Sequence, residues 1–306
     1  VAVKKKSKKL LFIFSKKDKK TTRTTHFVNV RTILRTMSVM FIAAAFCFGF
    51  FYLFKYVKKN VLINDKPLAL EIAYAPAWMN QPLKDMIINT GFDNGRLPLT
   101  LTPDIAKKVY DNLASISWFE DVTVQTTHES LIINAQWRKP VALISSRGRK
   151  YYVDRHLAVM NYIEVAELAI IEVAGMSSKK IPPTGTCFNA EDLAAAVAVL
   201  VALDNMDKKL DLAKPLLEEI EKIDVSNFEG RKKNSEPHII LYTIDGKQIL
   251  WGAQIGKWHR YMEASDKDKL ASLYQYYKQF GTLTHGPKYI NLRQPINNIP
   301  LPTDKY

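Results

Sequence analysis

Six histidines, His26, His128, His156, His238, His259 and His285, are the side chains here best suited to bind a metal or carry a proton near neutral pH. They are scattered without ligand spacing, and there is no HExxH pair on one helical face. Nucleophilic and phosphate chemistry find no better footing: the chain holds no GxSxG, no CxxC, no Walker loop and no GxGxxG turn. The adjacent carboxylates Glu120-Asp121 and Glu218-Glu219 fall at strand starts or on helices, where a solvated face accounts for them. Tyr274, Tyr276, Tyr277 and Phe280 could stack bases, but they recur at helical spacing, which marks a core face. No catalytic, cofactor-binding or metal-binding residue is therefore expected. The chemistry that remains is recognition of a partner, and the protein is expected not to be an enzyme.

The net charge of +14 suggests a nucleic-acid partner until it is located. Residues 1–60 carry 15 Lys and Arg against Asp18 alone, and the rest of the chain holds 29 basic and 29 acidic residues. The excess lies at or before a stretch of 19 uncharged residues, Thr36 to Phe54, bounded by Arg35 and Lys55. As a helix this run spans about 29 Å, close to a bilayer's hydrocarbon core. Arg31, Arg35 and the lysines before them outweigh Lys55, Lys58 and Lys59, so the N-terminus is expected in the cytoplasm and the remainder outside it. The long basic region and the absence of a small-x-small site before Lys55 favour an uncleaved anchor over a signal peptide. The tail is expected to touch anionic lipids, and no specific nucleic acid is expected. Leu193 to Leu203 is too short for a second span and is bracketed by Glu191, Asp192 and Asp204, so it reads as a buried soluble helix. Cys47 lies in the anchor and Cys187 far beyond it, so no disulfide is proposed.

Beyond the anchor, LALEIAYAPAW alternates like a strand and Gln81 to Thr90 reads as a helix capped by Gly91. A second helix is expected to open on Thr102-Pro103-Asp104, with Ile105, Val109, Leu113 and Ile116 on its apolar face. Two strands follow, Phe119 to Thr126 and Ser130 to Trp137, turning at His128-Glu129. Two helices on one face of three strands make a small α+β unit. The rest is richer in strand: LAVMNYI and LAIIEVAG, then a helix from Ala190, a helical stretch Pro215 to Ile220, and a hairpin turning at Asp245-Gly246. Ser265 to Asp268 reads as a capping box for a helix ending at Gly281, and Lys288 to Arg293 as a last strand.

This series of parts resembles the FtsQ/DivIB family of bacterial cell-division proteins. The resemblance rests on SWFEDVTVQTTHESLIINAQWRKPVAL, YYVDRHLAVM, GRKKNSEPHIILYTIDGKQILWG and KYINLR, in that order. It implies an α+β chain: a basic cytoplasmic tail (1–35), a transmembrane helix (36–55), a linker (56–66), a POTRA domain (67–141), a mixed β domain with flanking helices (142–295) and a tail (296–306). It also implies a non-enzymatic divisome scaffold in the cell membrane, expected at the septum and bound to FtsB/DivIC-like and FtsL-like single-span proteins. Such a partner would add a strand at the sheet edge formed by Ile290, Asn291, Leu292 and Arg293, with Tyr289 as its anchor. Arg231, or equally Lys232, would face an acidic partner segment. Asn291 and Trp137 stand where the family usually carries acidic residues. Two other readings remain: a POTRA module in protein export or assembly, although barrel strands are missing, and an exported enzyme of unfamiliar fold.

Overall fold

The uncharged run from Thr36 to Phe54 has no helix breaker except Gly49, and it forms the middle of helix α1 (Val30–Asn60). The computed structural model describes residues 30–60, 69–92, 102, 104–127, 129–165, 167–178, 180–212 and 214–294. The expected tail up to residue 29, linker residues 61–68, Pro103, His128 and the terminal stretch from 295 lie outside these. The apolar span of α1, Ile33–Val57, is long and apolar enough to cross a membrane. It runs three residues past the expected helix (36–55) at its start and two past its end, and it includes Arg35 and Lys55, whose aliphatic stems prolong the apolar cylinder. Arg31 lies one turn before Arg35 on the same helix. Residues from Asn60 onward form a separate compact unit of mixed α and β structure.

That unit begins with β1 (Ala69–Ala73), α2 (Gln81–Gly91), α3 (Ile105–Leu113), β2 (Phe119–Thr126) and β3 (Ser130–Trp137). The strands lie in the order β1-β3-β2, with β1 parallel and β2 antiparallel to β3. Leu83 and Ile87 of α2 and Val109 and Leu113 of α3 are buried with Val122, Leu131 and Ile133 of the sheet. Three local expectations need correction. Gly91 is the last helical residue rather than a cap; a Cβ there would meet Leu113 Cδ2 at 3.0 Å, so glycine permits the close approach of α3. The side chain of Thr102 does not cap α3: its carbonyl accepts from Ile105 N–H at 3.2 Å, and Asp104 holds the cap position without a side-chain bond. The first strand stops at Ala73 because Tyr74 turns into the left-handed region at φ 54°.

The remaining chain builds an eight-stranded sheet ordered β11-β10-β9-β8-β7-β4-β5-β6. Its members are β4 (Pro140–Ser146), β5 (Arg149–Asp154), β6 (Val159–Asn161), β7 (Ile171–Ala174), β8 (Ile220–Asp224), β9 (Ile239–Thr243), β10 (Gln248–Gly252) and β11 (Tyr289–Asn291). Helix α4 (Glu191–Leu210) buries Leu193, Ala196, Leu200 and Leu203 on it, so this apolar run is a core helix, with acids in its first turn and lysines in its last. Helix α5 (Asp266–Phe280) adds Leu273, Tyr274 and Tyr277 to the same core; Ser265 Oγ accepts from Asp268 N–H at 3.2 Å and Gly281 closes the helix in the left-handed region. Gly246, at φ 83°, supplies the turn between β9 and β10. The helical stretch expected from Pro215 is only a 3-10 turn, Leu216–Glu219, because the chain enters β8 at Ile220.

The two sheets share a core. Trp118 packs edge-on against Tyr152 of β5 with ring centroids 5.9 Å apart, and Trp78 lies 6.0 Å from Trp118. Met160 and Leu143 join the same cluster. Arg138, between β3 and β4, donates through Nε to the Phe119 carbonyl at 3.2 Å and through Nη1 to Asp154 at 2.9 Å. The expected division at residues 141–142 is thus a place where one apolar cluster continues from sheet to sheet.

Candidate functional site

Three residues make a strand too short to hold a sheet edge unaided, and the chain fixes β11 at both ends. On the approach, Glu219 accepts from Leu283 N–H at 2.6 Å, the Thr282 hydroxyl at 2.8 Å and Lys214 at 2.9 Å. Burial alone would raise the pKa of this carboxyl, but these bonds outweigh it and hold the value below the ordinary carboxylate level. Lys247, buried at the start of the β10 side of the hairpin, donates to the carbonyls of Leu283 and His285, and burial pushes its pKa below the usual lysine level. At the other end Arg293 Nε donates to Glu263 Oε1 at 2.8 Å, and Glu263 Oε2 accepts from the fully buried Lys269 at 2.7 Å and from Ala253 N–H at 2.8 Å. Sequence reasoning placed Glu219 on a solvated face, whereas it is 3% exposed because three donors satisfy its carboxylate; Lys247, Glu263 and Lys269 it did not single out. The contacts that pin β11 join residues 30 to 64 positions apart, Glu263 to Arg293 and Glu219 to Leu283 among them, and no local pattern marks such a pair.

β11 pairs in parallel with β10, Tyr289 opposite Gln248 and Asn291 opposite Leu250. Leu292 N–H donates inward to the Leu250 carbonyl at 3.1 Å. In a parallel ladder the backbone groups of alternate residues point to opposite sides, so those of Tyr289 and Asn291 face the outer edge. Among the described residues no strand pairs there. The Arg293 carbonyl is already taken by Ala264 N–H at 2.8 Å, which limits the open edge to these two outward residues. The opposite edge of the sheet is closed. Val159 of β6 bonds to Thr186 and Gly185 at 2.9 and 2.7 Å, and Asn161 N–H donates to Ser117 Oγ at 3.1 Å.

The side chains of the expected site divide between the two faces. Ile290 and Leu292 are buried in the core, whereas Tyr289 is 50% exposed. Tyr289 ends a row of directly opposed residues on the face away from α4 and α5: Tyr289, Gln248, Tyr242, Lys222 and Glu172. Within it the Lys222 ammonium lies 4.5 Å from the Tyr242 ring centroid. A strand added beside β11 would supply the next member of this row.

The two basic candidates are not equivalent. Arg231 Nη2 donates to Asp192 Oδ2 at 2.8 Å, and that carboxylate is almost fully buried at the start of α4. Burial would raise the Asp192 pKa, but bonds from Ser177, Arg231 and Leu193 keep it below the usual range. Lys232 is exposed; its backbone N–H is fixed by Asn227 Oδ1 at 2.9 Å. Both belong to the loop whose Ser235 carbonyl accepts from Arg293 Nη1 at 3.2 Å, so this loop borders the end of β11. Arg293 itself is committed to Glu263 and Ser235, leaving Tyr289 and Asn291 as the expected site residues that point outward from the edge. Among the described residues, no group of three or more His, Cys, Asp or Glu side chains could hold a metal. A scan against protein-family models finds no match, and a search of curated proteins finds none either.

Proposed function

We propose that this chain is a non-enzymatic, single-span membrane scaffold of the FtsQ/DivIB kind, in which β11 receives a strand from an FtsB/DivIC-like protein paired with an FtsL-like one. In this reading α1 is the anchor with its N-terminus in the cytoplasm, the β1-α2-α3-β2-β3 unit is the POTRA domain, and the protein works at the division septum. The observation that carries it is the contrast between the two edges of the large sheet: β6 is occupied by its own chain, while β11 is pinned at both ends and left open outward. A rigid edge loses little conformational freedom on binding, so main-chain bonds contribute more of their energy to affinity. Tyr289 provides an amphipathic anchor, and Lys232 rather than Arg231 offers a charge free to meet an acidic segment.

The test is to place a photo-crosslinking residue at Tyr289 and, for comparison, at Gln125 on the edge strand β2, in the full chain in its host. Crosslinks to a small single-span partner from position 289 and not from 125, together with loss of co-purification in Tyr289→Ala, support the proposal. A hot-spot tyrosine is worth about 2 kcal/mol or more. Unchanged co-purification of the variant, or crosslinks confined to position 125, overturns it.

A further inference from the structure

The hairpin between β4 and β5 turns through Arg147 and Gly148, at φ 50° and 76°, with Ser146 opposite Arg149 in the register. Two successive left-handed residues make a tight hairpin turn in which asparagine or glycine is the low-cost first residue. An arginine occupies that position instead. Beside it lies a cleft of about 370 Å³ lined by Ser146, Arg147, Arg149, Tyr151, Lys180 and Ile181. Its wall, among the described residues, contains three cations and no acid. Among the described residues none of the three forms an ion pair.

This is not a by-product of general basicity, since the chain beyond residue 60 holds equal numbers of basic and acidic residues. A cleft near Arg138 differs: there Arg138 is matched by Asp154, and Lys139 and Lys208 by Asp204, with Arg155 the one cation of its lining that has no ion pair among the described residues. At the hairpin tip the positive charges stand together without a counter-charge among the described residues, one of them on a residue held in an unfavourable backbone conformation. Residues in such conformations cluster at functional sites, and Arg147 is the one of the seven non-glycine examples among the described residues that lines this cleft.

From this we propose that the β4–β5 hairpin and Lys180 form a binding site for a phosphate group. Two guanidinium forks suit pairs of phosphate oxygens, the Lys180 ammonium adds a point charge, and a doubly charged phosphate answers three cations better than a single carboxylate does. Tyr151 lines the same cleft, and its hydroxyl is a further donor for a phosphate oxygen. The phosphate can reach the site from a lipid headgroup or from a soluble molecule, and the chemistry of recognition is the same.

The experiment uses the full chain in phosphatidylcholine nanodiscs, with Arg147→Gln/Arg149→Gln/Lys180→Gln as the comparison, so that phosphate bound by the basic N-terminal tail is common to both. In one arm inorganic pyrophosphate is titrated by calorimetry; in the other, association with phosphatidylglycerol vesicles is measured against phosphatidylcholine vesicles. The site predicts that the triple variant binds about tenfold or more weakly in at least one arm. A difference with pyrophosphate identifies a soluble phosphate as sufficient, and a difference with vesicles alone identifies a headgroup. Equal binding of the two proteins in both arms overturns the proposal. Arg147→Asn separates binding from folding: it suits the turn, so the melting temperature holds or rises while affinity still falls. Unchanged affinity in that variant removes Arg147 from the site and counts against the proposal.

Discussion

Arg293 Nε and Glu263 Oε1 lie 2.8 Å apart, and through this pair the end of the edge strand β11 is tied to a carboxylate that also holds the fully buried Lys269. Glu263 is 8% exposed, so the three charges form one network in which the acid is the shared member. Removing the shared member strands a buried ammonium.

Glu263→Gln is therefore expected to destabilise the protein by about 3–5 kcal/mol, the usual cost of breaking a buried pair from one side. Urea unfolding read by tryptophan fluorescence gives the number. Lys233→Ala, which breaks a pair whose two members are both exposed, should change stability by about 0.5 kcal/mol or less. Comparable losses in the two variants would contradict the network.

Much of this fold was legible because it is written locally. The Asp245-Gly246 turn, the Ser265 cap, the Gly281 stop and the apolar length of α1 each depend on residues within a few positions of one another. The candidate site was legible only in part. KYINLR marked a last strand and Tyr289 its exposed residue, but Arg231 and Arg293 looked like free charges because their partners, Asp192 and Glu263, lie 39 and 30 residues away. The junction was missed for the same reason: a change of composition near residue 141 says nothing about Trp118 packing on Tyr152.

The outward backbone groups of Asn291 lead to a second expectation. Proline there removes an N–H that the β10 ladder does not use, so the fold should survive with a modest loss from the Asn291 side chain, which accepts from Arg293 N–H at 3.1 Å. An added strand would lose a bond and meet the ring. Asn291→Pro should thus weaken partner capture at least tenfold with little change in melting temperature. A variant that binds normally would show that no strand pairs at this position.

Acid should weaken the protein in a definable window. Asp192 and Glu219 both have folded-state pKa values below the ordinary carboxylate level, so their contribution is complete above the unfolded value of about 4. It is lost as pH falls through the lower folded values. Stability measured from pH 7 downward should stay level with respect to these two groups until about pH 4 and then decline. Asp192→Asn should be less stable at neutral pH and show a shallower decline below about pH 4. An unchanged acid slope would mean that the Arg231 and Ser177 bonds do not hold the carboxylate.

His238 adds a slope at milder pH. It is buried before β9, its ring 4.4 Å from Tyr261, and burial, aided by the positive charge of Arg293, lowers its pKa although Glu263 acts in the opposite sense. A histidine depressed in the folded state contributes fully above its unfolded value of about 6.5 and less as pH falls below it. Unfolding free energy should accordingly drop as pH falls below about 6.5, and His238→Gln should flatten that segment of the curve. A variant with the original slope would assign the effect to another group.

The shared core of the two sheets bears on how the body unfolds. Trp118 is fully buried in one cluster with residues of α2 and α3 and with Tyr152 of the large sheet, its ring 6.0 Å from that of Trp78. Arg138 reinforces the contact by bonding to Phe119 on one sheet and Asp154 on the other. Two domains joined by a polar linker would melt separately, whereas two sheets that share buried tryptophan surface lose part of one core when the other opens. Trp118→Ala should cost about 3–5 kcal/mol and lower the stability of residues in both sheets together, with hydrogen exchange at Val122 and at Val153 accelerating by similar factors. Acceleration at Val122 alone would show that the sheets are energetically separate despite their contact. A common response would mean that an event on the small sheet is felt in β5 of the large sheet through the Trp118–Tyr152 contact.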